Sequence, residues 1–222
     1  MNKKYLNTSI YIWLAFLIAS LIFIFLPEID LYISSFFYDG KAFFLNGTIF
    51  ESFFYYSVKP VIIILSVSTI GIFFYNHFKK KNILKINSKV LLYVVLFLTI
   101  APVFIVNVGL KENWGRARPG QTVNFGGQKE FTPAFVMSDQ GGYSFSSGHA
   151  AAAFSLLGFA LLVKKRKKMW ITLALSYGVL VSIARVSAGG HFFSDVVTSF
   201  FIVYISTNII YKLVFKEDSF NE

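Results

Sequence analysis

In a chain of 222 residues, 55% hydrophobic and only 14% charged, there is too little charge to cover the surface of a soluble domain. Lys and Arg outnumber Asp and Glu by 21 to 11, a bias that fits nucleic acid or anionic lipid. In so apolar a chain the bilayer is the simpler partner, and nucleic acid is not expected. No cysteine is present, which excludes disulfides, thiolate chemistry and cysteine-based metal sites.

A helix needs roughly 20 apolar residues to cross a bilayer. Six segments approach that length, at 9–26, 60–75, 90–108, 149–163, 169–184 and 196–215. The first follows Lys3 and Lys4 and could pass for a signal peptide. Its apolar run is long and no small-residue cleavage site follows, so it reads as a retained span. Neither an internal repeat nor a low-complexity linker is present. The expected fold is all-α: one domain over 1–222, a polytopic bundle of six transmembrane helices.

Orientation follows from the basic residues. With the N-terminus inside, the inner side collects Lys3, Lys4, Lys79, Lys80, Lys81, Lys85 and Lys89. It also takes the run Lys164, Lys165, Arg166, Lys167 and Lys168, then Lys212 and Lys216, making 14 of the 21. That asymmetry predicts both termini in the cytoplasm and an even number of spans. Between two apolar spans the KKRKK run is a topology anchor rather than a nucleic-acid patch.

Three pieces then lie outside. The 27–59 stretch is rich in Phe and Tyr, and part of it is expected at the headgroup level. The 109–148 stretch is the longest polar one, and 185–195 is a short turn. Polar residues gather on one side of the membrane, unlike a transporter site near the midplane.

Within these pieces, KENWGRARP places Lys111, Arg116 and Arg118 at the outer end of a span, against the charge trend. A phosphate dianion would offset their repulsion, with Arg giving a fork to two oxygens and Lys a mobile charge. An ordinary basic headgroup anchor is the alternative. In SFSSGHAAAAF, Ser147 and Gly148 precede a helix start, where free backbone N–H groups favour phosphate. His149 at its mouth could protonate a leaving oxygen; a Ser cap and an interfacial His read the same letters. In ARVSAGGHFFSDVV, His191 and Asp195 stand four apart and share one helix face. The carboxylate could fix one imidazole nitrogen and leave the other as nucleophile, or be a plain helix-start acid. With only three histidines and His77 assigned to a cytoplasmic loop, a metal site is not expected.

These stretches together resemble the type 2 phosphatidic acid phosphatase superfamily, which includes the vanadium haloperoxidases. Its motifs KxxxxxxRP, PSGH and SRxxxxxHxxxD match Lys111 to Pro119, Ser146-Ser147-Gly148-His149, and Ala184-Arg185 with His191 and Asp195. Ser146 replaces the usual Pro and Ala184 the usual Ser. The resemblance implies that Lys111, Arg118 and Arg185 clamp a phosphate, helped by Ser147 and Gly148. It implies that His191 attacks phosphorus, Asp195 orients it and His149 protonates the leaving group, with no cofactor or metal. Arg116 lies outside the motif positions, and is expected behind them or on a second substrate phosphate. The resemblance further implies a bacterial inner-membrane enzyme acting on a lipid phosphate at its outer face, with no obligate protein partner evident. The Gly pairs, aromatics and Lys129 of the 121–145 stretch suggest a lid or headgroup loop. Because this stretch looks similar to bacterial enzymes that dephosphorylate lipid A, that lipid is favoured over undecaprenyl diphosphate or phosphatidylglycerol phosphate. A non-catalytic transporter or lipid-binding scaffold is the alternative from another class.

Overall fold

The computed structural model describes residues 4, 5 and 8–215, so Lys3 and Lys216 of the charge count lie outside the described residues. A short antiparallel pairing, Lys4–Tyr5 with Thr8–Ser9, precedes helix α1 (Ile10–Phe25). Pro27 follows, and α2 (Glu28–Ser35) leaves at 88° to α1. Helix α3 (Ile49–Lys79) starts eleven residues before its apolar run, at the Thr48 cap, whose Oγ1 accepts from Glu51 N at 3.4 Å. FESFFYY is therefore helix, not a loop, and His77 sits in the last turn of α3. The apolar count began the span late because Glu51, Ser52, Ser57 and Lys59 interrupt it, and ended it early at the polar Asn76 and His77.

Helix α4 (Ser88–Leu98) passes into a π-helical segment (Thr99–Lys111) that carries Pro102. Its wide winding is seen where Glu112 N donates to Asn107 O, five residues back, at 3.0 Å. After the long 112–147 loop come α5 (Gly148–Phe154) and α6 (Leu156–Leu162), then α7 (Lys167–Ser187) and α8 (Phe193–Phe215). Among the described residues four helices are long and apolar enough to cross a membrane: α3, α4 with its π continuation, α7 and α8. The α1–α2 pair passes the same test only when its two bent halves are taken together, as a broken span or a re-entrant loop. The fourth expected segment, at 149–163, forms the shorter apolar element Gly148–Leu162, which rises only about 22 Å against a bilayer core of about 30 Å.

That short element is central. Ala150, Ala151, Ala153 and Phe154 of α5 are buried, packed against the π segment, α7, α8 and α3. Small side chains let the neighbouring backbones approach closely. By contrast α1 and α3 turn many large apolar side chains outward, among them Leu17, Ile18, Ile63, Ile64 and Val67. Such a belt suits hydrocarbon, not water.

Helix direction alternates, so one end of the bundle gathers the start of α3, the end of the π segment, the start of α5, the end of α7 and the start of α8. The basic runs at 79–81 and 164–168 fall at the other end. Over the first end the two long loops pack on each other: the Phe43 and Phe125 rings are 5.2 Å apart, and both join Phe192 in one buried cluster. Each buried aromatic contributes about 1.5–3 kcal/mol. Part of the 27–59 aromatic stretch is thus spent on the protein; Tyr32, Phe36 and Phe44 remain exposed.

Candidate active site

Backbone links tie the three sequence stretches together. Gly120 N donates to Gly189 O at 3.1 Å, joining the KENWGRARP stretch to the α7–α8 turn. Ser147 N donates to Asp195 O at 3.4 Å, and Ser199 Oγ to Ser147 O at 3.0 Å. Ser147 also caps α5, its Oγ accepting from Ala150 N at 3.3 Å. A Cβ on Gly148 would meet Asn107 Oδ1 at 2.6 Å, so any side chain there would displace that amide. In the turn, Gly189 has φ +66° and a Cβ on Gly190 would collide with the Arg185 guanidinium.

His191 is buried in that turn. Its Nδ1 lies 2.8 Å from the Ser144 carbonyl oxygen and 3.6 Å from Asp195 Oδ2. The expected hydrogen bond from the imidazole to Asp195 is therefore replaced by one to a backbone carbonyl. A carbonyl only accepts, so Nδ1 carries the proton and Nε2 keeps its lone pair. Asp195 is occupied elsewhere: it accepts from Arg116 Nη1 at 2.5 Å, Ser144 Oγ at 2.5 Å and Phe192 N at 2.8 Å. Burial lowers the His191 pKa to about 4, and Arg185 and Arg118 add to it; the Asp195 charge opposes without winning. The imidazole is neutral at pH 7, as a nucleophile must be.

The cations converge. Lys111, at the end of the π segment, lies within electrostatic reach of Arg118 and Arg185, and all three are partly or wholly buried. His149 feels Arg185, Lys111 and His191. Against these charges stands one acid that sequence reasoning missed, Glu51, which accepts from Arg185 Nη1 at 2.6 Å. The Arg185 Nε stays buried without a hydrogen-bond partner among the described residues, as does the Ser146 Oγ. An excess of cations with spare donors around one volume is an anion site.

Residues 89–219 match the PAP2 superfamily. The chain is 34% identical over 212 residues to a lipid A 4'-phosphatase of Francisella tularensis subsp. novicida, covering 91% of this chain and 93% of that one. It is 42% identical over 103 residues to a lipid A 4'-phosphatase of Rhizobium leguminosarum, covering 45% and 44%. The crystal structure of a transmembrane PAP2-type phosphatidylglycerolphosphate phosphatase from Bacillus subtilis overlays with a TM-score of 0.58 at 26% identity, over 96% of each chain. The chain belongs to the PAP2 superfamily. It is a multi-pass membrane phosphatase.

Arg116 takes a place in this PAP2 site that rules out one of its two expected roles. Its side chain has no exposure, so it does not reach a substrate phosphate. It donates to Asp195, to Ser194 Oγ at 2.9 Å, to Asp30 Oδ2 at 2.7 Å and to Thr132 O at 2.7 Å. Asp30 in turn accepts from Ser194 N at 2.8 Å and from Ser194 Oγ. Asp30 was invisible in the sequence: a lone acid in an aromatic loop carries no spacing signal. Lys129, expected in a headgroup loop, donates its ammonium to Gln140 O at 2.6 Å within that loop.

Proposed function

We propose that this PAP2 protein is a lipid A phosphatase that works without metal through a phosphohistidine on His191. The observation that carries the reading is the meeting of Lys111, Arg118 and Arg185 beside a buried neutral imidazole whose Nε2 lone pair is free. The two relatives named lipid A 4'-phosphatase support the choice of lipid.

The steps follow from the residues. Lys111, Arg118 and Arg185 bind the phosphate oxygens, and spare donors such as Arg185 Nε find acceptors there. His191 Nε2 attacks phosphorus while the P–O bond to the lipid breaks. The bound phosphate dianion offsets the cations around His149, so that its imidazole takes up a proton and, as the imidazolium, gives it to the departing oxygen. The Ser144 carbonyl holds the Nδ1 proton, and Asp195 at 3.6 Å balances the positive charge of the phosphorylated ring. Water, losing a proton to His149, then attacks phosphorus, and the P–N bond breaks to release phosphate and restore His191. The three cations stabilise the charge that develops on the equatorial oxygens, the task a metal would otherwise perform.

Purified protein is expected to release phosphate from lipid A in the presence of EDTA, faster than from phosphatidylglycerol phosphate or undecaprenyl diphosphate. Vanadate, a five-coordinate mimic of the transition state, should inhibit it. Loss of turnover on chelation with recovery on adding divalent ions would contradict the mechanism, and preference for another lipid the substrate.

The chain is further proposed to cross a bacterial inner membrane six times, the short α5–α6 segment included, with its site outside and both termini inside. Charge asymmetry and the placement of the site opposite the basic runs support this. In intact cells an impermeant thiol reagent should label Glu130→Cys and spare Arg166→Cys; the reverse pattern would overturn the orientation.

A further inference from the structure

Helix α3 presents Glu51, Tyr55 and Lys59 at four-residue intervals, one face of a helix, and that face closes one side of the site. Tyr55 stands between two groups of the reaction proposed above. The Arg185 guanidinium carbon lies 4.7 Å from the centre of the Tyr55 ring. The His149 ring stacks on Tyr55 at 4.3 Å with 25° between the planes. Glu51, one turn earlier, holds the same guanidinium by its Nη1.

The two histidines are held very differently. His191 is fixed by the Ser144 carbonyl. Neither ring nitrogen of His149 has a hydrogen-bond partner among the described residues, and the ring contact that orients it is Tyr55. A general acid must sit about 2.6–3.2 Å from the oxygen that it protonates. An imidazole held by no hydrogen bond turns broadly about χ2 unless something packs on its face.

We infer that Tyr55 is a positioning residue for the leaving-group step: its ring sets the plane of His149 while backing Arg185, so the acid and the clamp keep one spacing. This rests on the reading of His149 as the acid. Nothing in it needs the phenol oxygen; the flat ring is what matters.

The test compares kcat/KM on a lipid phosphate, whose alkoxide needs a proton to leave, with that on nitrophenyl phosphate, whose phenolate does not. Tyr55→Leu should lower the lipid-to-nitrophenyl ratio by about tenfold or more, part of the 10²–10⁴ that general acid catalysis supplies. Tyr55→Phe and Tyr55→Trp, which keep a flat ring, should restore the ratio of the parent. A residue that merely supports the fold would lower both rates together. Equal losses on the two substrates in Tyr55→Leu, at the parent's melting temperature, would overturn the inference. So would a ratio in Tyr55→Phe or Tyr55→Trp as low as in the leucine variant, a comparison that holds even if leucine weakens the fold. His149→Ala run alongside separates two failures. If it lowers the ratio and Tyr55→Leu does not, the positioning role falls and the acid stands; if it leaves the ratio unchanged, both fall.

Discussion

His191→Ala is expected to abolish turnover on lipid phosphate and nitrophenyl phosphate alike, by on the order of 10⁴-fold or more, since no other group can form the covalent bond to phosphorus. His149→Ala should instead lose about 10²–10⁴-fold on the lipid and far less on nitrophenyl phosphate. The contrast arises from their surroundings. His191 is buried, neutral and fixed with Nε2 free, whereas His149 lies half-exposed at the start of α5 amid cations. Similar losses for both variants on both substrates would assign His149 to phosphate binding instead.

Arg116→Met should be the most destabilising single change near the site. The guanidinium is wholly buried and pairs with two carboxylates, Asp30 and Asp195, from different helices. Removing it leaves both acids without their cation, a defect that costs about 3–5 kcal/mol for a buried pair. It also frees Asp195, whose backbone and side chain steady the turn that carries His191. Arg116→Lys should recover little, because a single ammonium cannot serve Asp30, Asp195, Ser194 and Thr132 at once. Thermal melting in detergent, with activity measured below the transition, reads both effects. A melting temperature unchanged from the parent would show that water solvates the network and that the fold does not lean on it.

The residues at the site that were legible in the sequence are those whose type and spacing carry chemistry together. Lys111 to Pro119, the SSGH run and the His191–Asp195 pair are local patterns, and the chain folds them to one end of the bundle. Contacts made across the sequence were not legible. Glu51 and Tyr55 meet Arg185 and His149 more than 90 residues away, and Asp30 meets Arg116 at a separation of 86. Only tertiary packing creates such pairs. The His191–Asp195 spacing also misled in one respect. Four residues apart allows contact, but the first turn of α8 and Arg116 compete for the same carboxylate, and Ser144 O takes the imidazole instead. Span boundaries failed for a similar reason. Apolar counts follow the solvent, while the start of α3 is set by the Thr48 cap and continues past Lys59 and Pro60.

The central claim is a covalent bond between phosphorus and His191. Rapid quenching of the protein with lipid A labelled with radioactive phosphate should trap label on the protein. A phosphorus–nitrogen bond predicts that this label survives alkali, is lost in acid and is absent from His191→Ala. Protein that turns over lipid A without ever carrying label, or label that persists in His191→Ala, would contradict the account.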